Sequence, residues 1–388
     1  MLKYISADWI FPVSTPPIKN GVVAVNYDGE ITGIFTAAAV ENLNVEIEKH
    51  RGAIVPGFIN THCHLELSHM LGLIPEHTSL VEFVQCIIKS RQAKPELMST
   101  AMENADKQML ESGIVAVGDI SNQISSKEIK QNSKIYYHTF VEAMGFNPDR
   151  ANAIMDYTTA IKNEFLPLPA SVVPHAPYSV SPELFALINA TAEKENALIS
   201  IHNQETVNEN SFFQDKTGGF LSLYKFLGLD IQFFKATGKT SLQSWLPYIK
   251  KQKTLLVHNT VSNKADIEFA KQNHPDLYWC LCPQANLYIE NSLPDVELLI
   301  SENVKITLGT DSLASNHQLN ILAEMKTLQQ HKNMAFDKLL LWATLNGAEF
   351  LNLNKHLGSI EVGKKPGLNL IQLSNNFIIE SDQVIKLV

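Results

Sequence analysis

A chain of 388 residues is long for one small domain and suits one large barrel with an accessory module. Hydrophobic residues make up 45% of it, enough for a large core, yet no uninterrupted apolar run approaches the roughly 18 residues needed to span a bilayer. The net charge of −9, with no long basic run, argues against nucleic acid as the main partner.

The first ten residues carry an early acid, Asp8, and no long apolar core, so no signal peptide is expected there. Residues 1–52 read as short strands, with Gly21–Tyr27 and Glu30–Phe35 joined at the turn Asp28-Gly29. Residues 53–60 read as a buried strand running into His62-Cys63-His64. Further strands are expected over 114–119, 134–142, 170–175, 197–202, 254–259, 277–282 and 304–309. Helical stretches separate most of them, such as Ser181–Asn196 with Ser181-Pro182-Glu183 as cap and first turn. Eight strands alternating with helices is the count of a (β/α)8 barrel, here expected over 53–355. The tail regains the strand texture of the beginning, so residues 1–52 and 356–388 are expected to form one small β-sandwich. The segment after His202 carries Phe212, Phe213, Phe220, Phe226, Phe233 and Phe234, which suits an apolar lid or a helical insertion burying its aromatics in core. The four cysteines, Cys63, Cys86, Cys280 and Cys282, are too sparse for a disulfide scaffold and fit reduced thiols in a cytoplasm.

Several strands end in metal-binding or proton-carrying residues. In a strand, positions i and i+2 point to one side, so His62 and His64 aim two imidazoles at one point while Cys63 faces away. The run Leu198–Ile201 ends in His202 with Glu205 three residues on. Thr254–Val257 ends in His258, and Val304–Thr310 ends in Asp311. The carboxyl edge of a parallel barrel is where active sites are built, so His62, His64, His202 and Asp311 can surround one divalent metal, zinc by default. Such an ion acidifies water and makes a hydrolase. Glu205 suits the proton carrier, or a charge complementing a helix N-terminus. Asp311 suits a ligand that also accepts the water's proton, or a helix cap. His258 suits a stabiliser of the developing tetrahedral oxygen, or a structural hydrogen bond. His175, at the end of another strand, is placed to touch substrate rather than metal.

Together these segments resemble the amidohydrolase superfamily, in the branch of cytosine, guanine and adenosine-type deaminases and triazine chlorohydrolases. The resemblance runs from Pro56–His64 through Pro174–Tyr178, His202–Thr206, His258, Cys282–Asn286 and Gly309–Ser312 to Gly358–Lys364. It implies a distorted (β/α)8 TIM barrel with a β-sandwich from both termini. It also implies one zinc or iron ion on His62, His64, His202 and Asp311, with Glu205 as proton shuttle and His175 and His258 flanking the bound ring. The absence of a candidate bridging lysine favours a single metal, and the family implies a dimer. The stretch His64-Leu65-Glu66-Leu67-Ser68 is similar to relatives that deaminate 6-aminodeoxyfutalosine, an adenine-bearing menaquinone precursor. In that reading Glu66 or Ser68 meets the substrate's polar groups and Arg91 meets a carboxylate, though local capping accounts for these residues equally. A chlorohydrolase or cyclic-amide hydrolase on the same scaffold, and a non-catalytic assembly protein, are the competing expectations.

Overall fold

The computed structural model describes residues 2–40 and 45–388. Its centre is a ring of eight parallel strands: β1 (Phe58–Cys63), β2 (Ile114–Ser121), β3 (Tyr136–Ala143), β4 (Ala170–Pro174), β5 (Ile199–Asn203), β6 (Thr254–His258), β7 (Leu277–Leu281) and β8 (Lys305–Leu308). They hydrogen-bond in sequence order as two arcs, β1 to β4 and β5 to β8. Backbone bonds bridge both seams. His202 N donates to His175 O at 3.0 Å, and Thr310 N and Asp311 N donate to His62 O at 3.0 and 3.1 Å. The ring is a (β/α)8 barrel whose hydrogen bonding thins at the two seams, the distorted form expected.

Local chemistry places the helices between the strands. In the helix Pro182–Glu195 the Ser181 side chain accepts from Leu184 N, proline occupies the first turn, and Asn196 stops the helix in the left-handed region at φ +50°. Helices α1 (Leu80–Ser90), α2 (Val207–Asp215), α3 (Phe220–Phe226), α4 (Ser241–Trp245) and α5 (Lys264–Asn273) form a chain of contacts, α1 on α3, α3 on α2, α2 on α4 and α4 on α5. An apolar cluster including Phe146, Tyr178, Phe212, Phe220 and Tyr288 joins α1, α2 and α3 to the barrel's carboxyl edge. Tyr178 stacks on Phe220 with ring centres 4.1 Å apart, and Phe212 on Phe234 at 4.6 Å. Of the phenylalanines after His202, Phe212, Phe213 and Phe220 are buried, whereas Phe226 and Phe233 are exposed.

Strands from the two ends of the chain build two further sheets around a core of Ile5, Ile10, Val23, Ile31, Ile54, Leu368 and Leu370. The expected strand 53–60 is two strands. Ala53–Pro56 pairs antiparallel with Leu368–Ile371 in the terminal sheet, and the barrel begins only at Phe58. Gly57 makes the break. Its N–H donates to Pro366 O at 3.0 Å. A Cβ there would sit 2.4 Å from a Val115 methyl and 2.6 Å from Pro366 O, so only glycine admits this approach. Among the described residues no helix is long and apolar enough to cross a membrane.

Candidate active site

Three strand ends at the barrel mouth carry backbone in a sparsely populated region. Gln204 has φ +46°, His258 +75°, Asn259 +58° and Asp311 +56°. Side-chain-bearing residues hold such conformations only where surrounding bonds enforce them. Asn259 gives its side-chain N–H groups to Leu256 O at 2.7 Å and Cys280 O at 3.2 Å, and its own side-chain oxygen accepts from Asn203 at 3.0 Å. Ser315 Oγ donates to Asp311 Oδ2 at 2.6 Å. These bonds turn the polar side chains off the strands and into the mouth.

Five ligand-type side chains meet there. His62, His202, His258 and Asp311 each offer one atom, all within 4.8 Å of one another. His64 joins them: its Nε2 lies 3.1 Å from His62 Nε2, 3.3 Å from His202 Nε2 and 3.3 Å from Asp311 Oδ1. The structure thus brings together the whole expected set of His62, His64, His202 and Asp311, and adds His258 at its edge. Glu205 Oε1 stands 3.6 Å from His258 Nε2.

The donor set fits a divalent ion. His202 Nδ1 is 2.7 Å from His175 O, a bond that needs a proton on Nδ1 and leaves the Nε2 lone pair facing the cluster. Burial holds His64 and His258 well below the ordinary imidazole range and His202 at about 4, so all three rings are neutral at pH 7. Burial pushes the Asp311 carboxyl up, but His62, His64 and His258 outweigh it and hold the group ionised, well below its usual value. At His62 burial opposes protonation and Asp311 overcomes it, so a proton competes with a cation for this ring. Imidazole nitrogens with a carboxylate oxygen are the ligand types of zinc and similar ions.

Glu205 is a different kind of acid. It is buried, and burial together with the charges of Asp311, Glu209 and Glu290 pushes its carboxyl well above the usual range. A carboxyl held above its ordinary range in this way binds its proton more firmly than an exposed acid and suits the role of proton donor. His258 Nδ1 faces the Asn286 amide nitrogen at 3.1 Å, which leaves Nε2–H directed at Glu205.

Of the remaining expected residues, His175 borders this centre on the His202 side. His175 Nδ1 is 2.7 Å from Ser179 Oγ, and its ring centre is 4.9 Å from that of His202. Glu66 is buried, and its carboxylate accepts from Asn122 N at 2.9 Å and Gln123 N at 3.3 Å. Ser68 Oγ donates to Leu65 O at 2.7 Å. Both side chains are thus committed to nearby backbone. Arg91 instead lines a cavity of about 810 Å³ together with Asn122, Glu142, Met144 and Tyr157. Glu142 escaped the sequence reading. Its Oε1 lies 3.5 Å from His202 Nδ1 and its Oε2 accepts from Asn122 Nδ2 at 3.0 Å. The available signal was an acid near the carboxyl end of the apolar run Phe140-Val141-Glu142-Ala143, the same edge that bears the histidines.

Comparison with known proteins identifies the family and the fold. The profile of the amidohydrolase family matches residues 53–388. Adenosine deaminase of Helicobacter pylori is 27% identical over 334 residues, which covers 84% of this chain and 80% of that protein. Aminodeoxyfutalosine deaminase of a Nitratiruptor species is 28% identical over 382 residues, covering 94% of this chain and 90% of the relative. In fold, the chain superposes on Helicobacter pylori aminofutalosine deaminase in complex with methylthio-coformycin with a TM-score of 0.81, at 22% identity, over 98% of this chain and 94% of the other. A zinc-bound adenosine deaminase from Xanthomonas campestris gives a TM-score of 0.69 at 21% identity, over 98% of this chain and 90% of that one.

Proposed function

Because this chain belongs to the amidohydrolase family, we propose that it is a metal-dependent hydrolytic deaminase of adenine-type nucleosides, with an aminodeoxyfutalosine-like nucleoside as its substrate. The observation that carries this reading is the buried Glu205 carboxyl 3.6 Å from His258 Nε2, at the edge of the cluster of His62, His64, His202 and Asp311. The curated relatives that cover 80% or more of this chain at 27–28% identity are deaminases of such nucleosides by name.

His62, His64, His202 and Asp311 hold the ion, and zinc suits them best. When bound, it supplies Lewis acidity, lowering the pKa of water from 15.7 toward about 7. The chain's own groups do the rest. Glu205 gives its proton to the ring nitrogen next to the amino-bearing carbon, so that the carbon accepts an oxygen nucleophile. Asp311 takes the proton that water loses. His258, through Nε2–H, stabilises charge on the new oxygen as the carbon becomes tetrahedral. The proton held by Asp311 passes to the amino group, which departs as ammonia, while the new hydroxyl gives its proton back to Glu205 and the ring keeps the oxygen. His175 flanks the bound ring from the His202 side. Arg91 meets an anionic arm of the substrate: it lines the same cavity as Glu142 and brings a positive charge to it. Glu66 and Ser68 act one step back, by fixing the loops that carry Asn122 and His69.

The test is ammonia release by the zinc-loaded protein from adenosine, 5′-deoxyadenosine, 5′-methylthioadenosine and 6-aminodeoxyfutalosine, with guanine and a chlorotriazine as controls. Turnover is expected on the adenine nucleosides, with the highest kcat/KM on the substrate bearing a carboxylate. No ammonia from any of them, with metal shown to be bound, overturns the reading.

A further inference from the structure

Glu205 follows a turn that ordinary backbone preferences oppose. Gln204, immediately before it, sits at φ +46° with a full side chain. The bonds that hold this turn come largely from a second acid, Glu209, in the first turn of α2. Its carboxylate accepts from Gln204 N at 2.9 Å and Glu205 N at 3.4 Å, and Ser241 Oγ in α4 donates to it at 2.5 Å. Gln204 is pinned at its far end as well, where Nε2 donates to Asp266 at 2.9 Å and Oε1 accepts from Ser262 at 2.6 Å.

An acid at this position of a helix ordinarily returns to the N–H of the cap residue, closing a capping box, or simply complements the helix dipole. Glu209 does neither of these things alone. The cap is Thr206, whose side chain already accepts from Asn208 N. Glu209 passes over Thr206 N and bonds the two residues before it. It is also completely buried, which a dipole-complementing charge at a helix surface is not. Its burial is costly unless its bonds return something, and what they return is the position of Glu205.

We propose that Glu209 is a positioning residue: by bonding the backbone N–H groups of Gln204 and Glu205, its buried carboxylate sets where the Glu205 carboxyl stands beside His258. The kinetic consequence rests on the deaminase reading above; the positional one does not.

Glu209→Gln keeps the volume and one acceptor but turns an amide N–H toward a backbone N–H. Its kcat for ammonia release is expected to fall about 10- to 100-fold, the scale of a misplacement near 1 Å. KM, zinc content and far-ultraviolet circular dichroism should stay close to the parent's, because substrate binding and ligands are untouched. In the crystal structure of the variant, Gln204 should leave its positive φ or the Glu205 carboxyl should move away from His258. A lowered melting temperature with unchanged kcat would make Glu209 merely structural and overturn the proposal, as would loss of kcat together with zinc. Should Glu209→Gln fail to fold, Ser241→Ala removes one of the bonds aiming Glu209, and kcat must then fall at least two-fold with zinc content retained; an unchanged kcat overturns it. Should the parent protein release no ammonia from any nucleoside, the deaminase reading fails, and the variant's crystal structure alone decides the positioning role.

Discussion

Single residues at the barrel mouth have separable duties, and each loss should read out differently. Glu205→Gln removes the carried proton without changing shape, so kcat should drop by about 10²- to 10⁴-fold while zinc content, measured by elemental analysis, stays at the parent's level. His62→Ala should do the reverse. The ring contributes Nε2 to the cluster and is completely buried, and its loss should weaken zinc binding by more than the roughly 10- to 100-fold that losing an outer partner costs, measured by competition with a chelator. Retained zinc in His62→Ala, or retained turnover in Glu205→Gln, contradicts the respective assignment. His202 shows how one residue links the two roles. The bond from its Nδ1 to His175 O fixes the ring, and Glu142 stands beside the same nitrogen at 3.5 Å.

At the scale of elements, the site depends on how closely β8 meets β1. Gly309 follows β8, and a Cβ there would lie 2.8 Å from His62 Cβ and 2.9 Å from Cys280 Sγ. Gly309→Ala is expected to push β8 away from β1, with a stability loss of about 1–3 kcal/mol in urea unfolding and weakened zinc binding. Stability loss without any change in zinc affinity would separate this seam from the site. The turn after His64 hangs on another buried contact. Lys130 Nζ lies 2.7 Å from Asp119 Oδ2, and Asp119 Oδ1 accepts from Leu65 N at 2.8 Å. Both partners of this pair are fully buried, so Lys130→Met strands a carboxylate and should cost about 3–5 kcal/mol. The helix Leu80–Ser90 and Phe212, Phe213 and Phe220 of α2 and α3 pack as a roof, and the same apolar cluster holds Tyr178 next to His175.

For the molecule as a whole, pH should act through buried acids as well as through the site. Burial raises the Glu324 carboxyl from 4.5 to about 8 while it accepts from Gln284 N and Asn316 Nδ2. The folded state therefore binds this proton more tightly than the unfolded chain does. The resulting stability is fully present below about pH 4.5 and is lost as pH rises through about 8, a change of a few kcal/mol. Melting temperature should accordingly be lower at pH 9 than at pH 7, and Glu324→Gln should flatten that decline; an equal decline in the variant would assign it to other groups. Removing zinc with a chelator should lower the melting temperature further, because an ion that binds only the folded barrel stabilises it in proportion to the logarithm of its excess over Kd.

The sequence by itself determined the barrel and which strand ends bring polar side chains to its mouth. Apolar strands announce themselves by composition, and their last residues necessarily fall on one edge of a parallel ring, so His62, His64, His202, Glu205, His258 and Asp311 were legible one strand at a time. The period of two in a strand even paired His62 with His64. Other features arise only when segments distant in the chain meet. The break at Gly57 follows from Pro366 and Val115 crowding its Cα. Glu66 and Ser68 turn to the backbone because Asn122, Gln123 and Leu65 present groups to them. Glu142 on β3 reaches His202 on β5 across the intervening β4, and Glu209 folds back on its own helix start because burial leaves its carboxylate no water to bond. Periodicity and composition act locally and are written in the sequence. Close approach, desolvation and the choice among hydrogen-bond partners depend on what else occupies the space, which the tertiary structure alone decides.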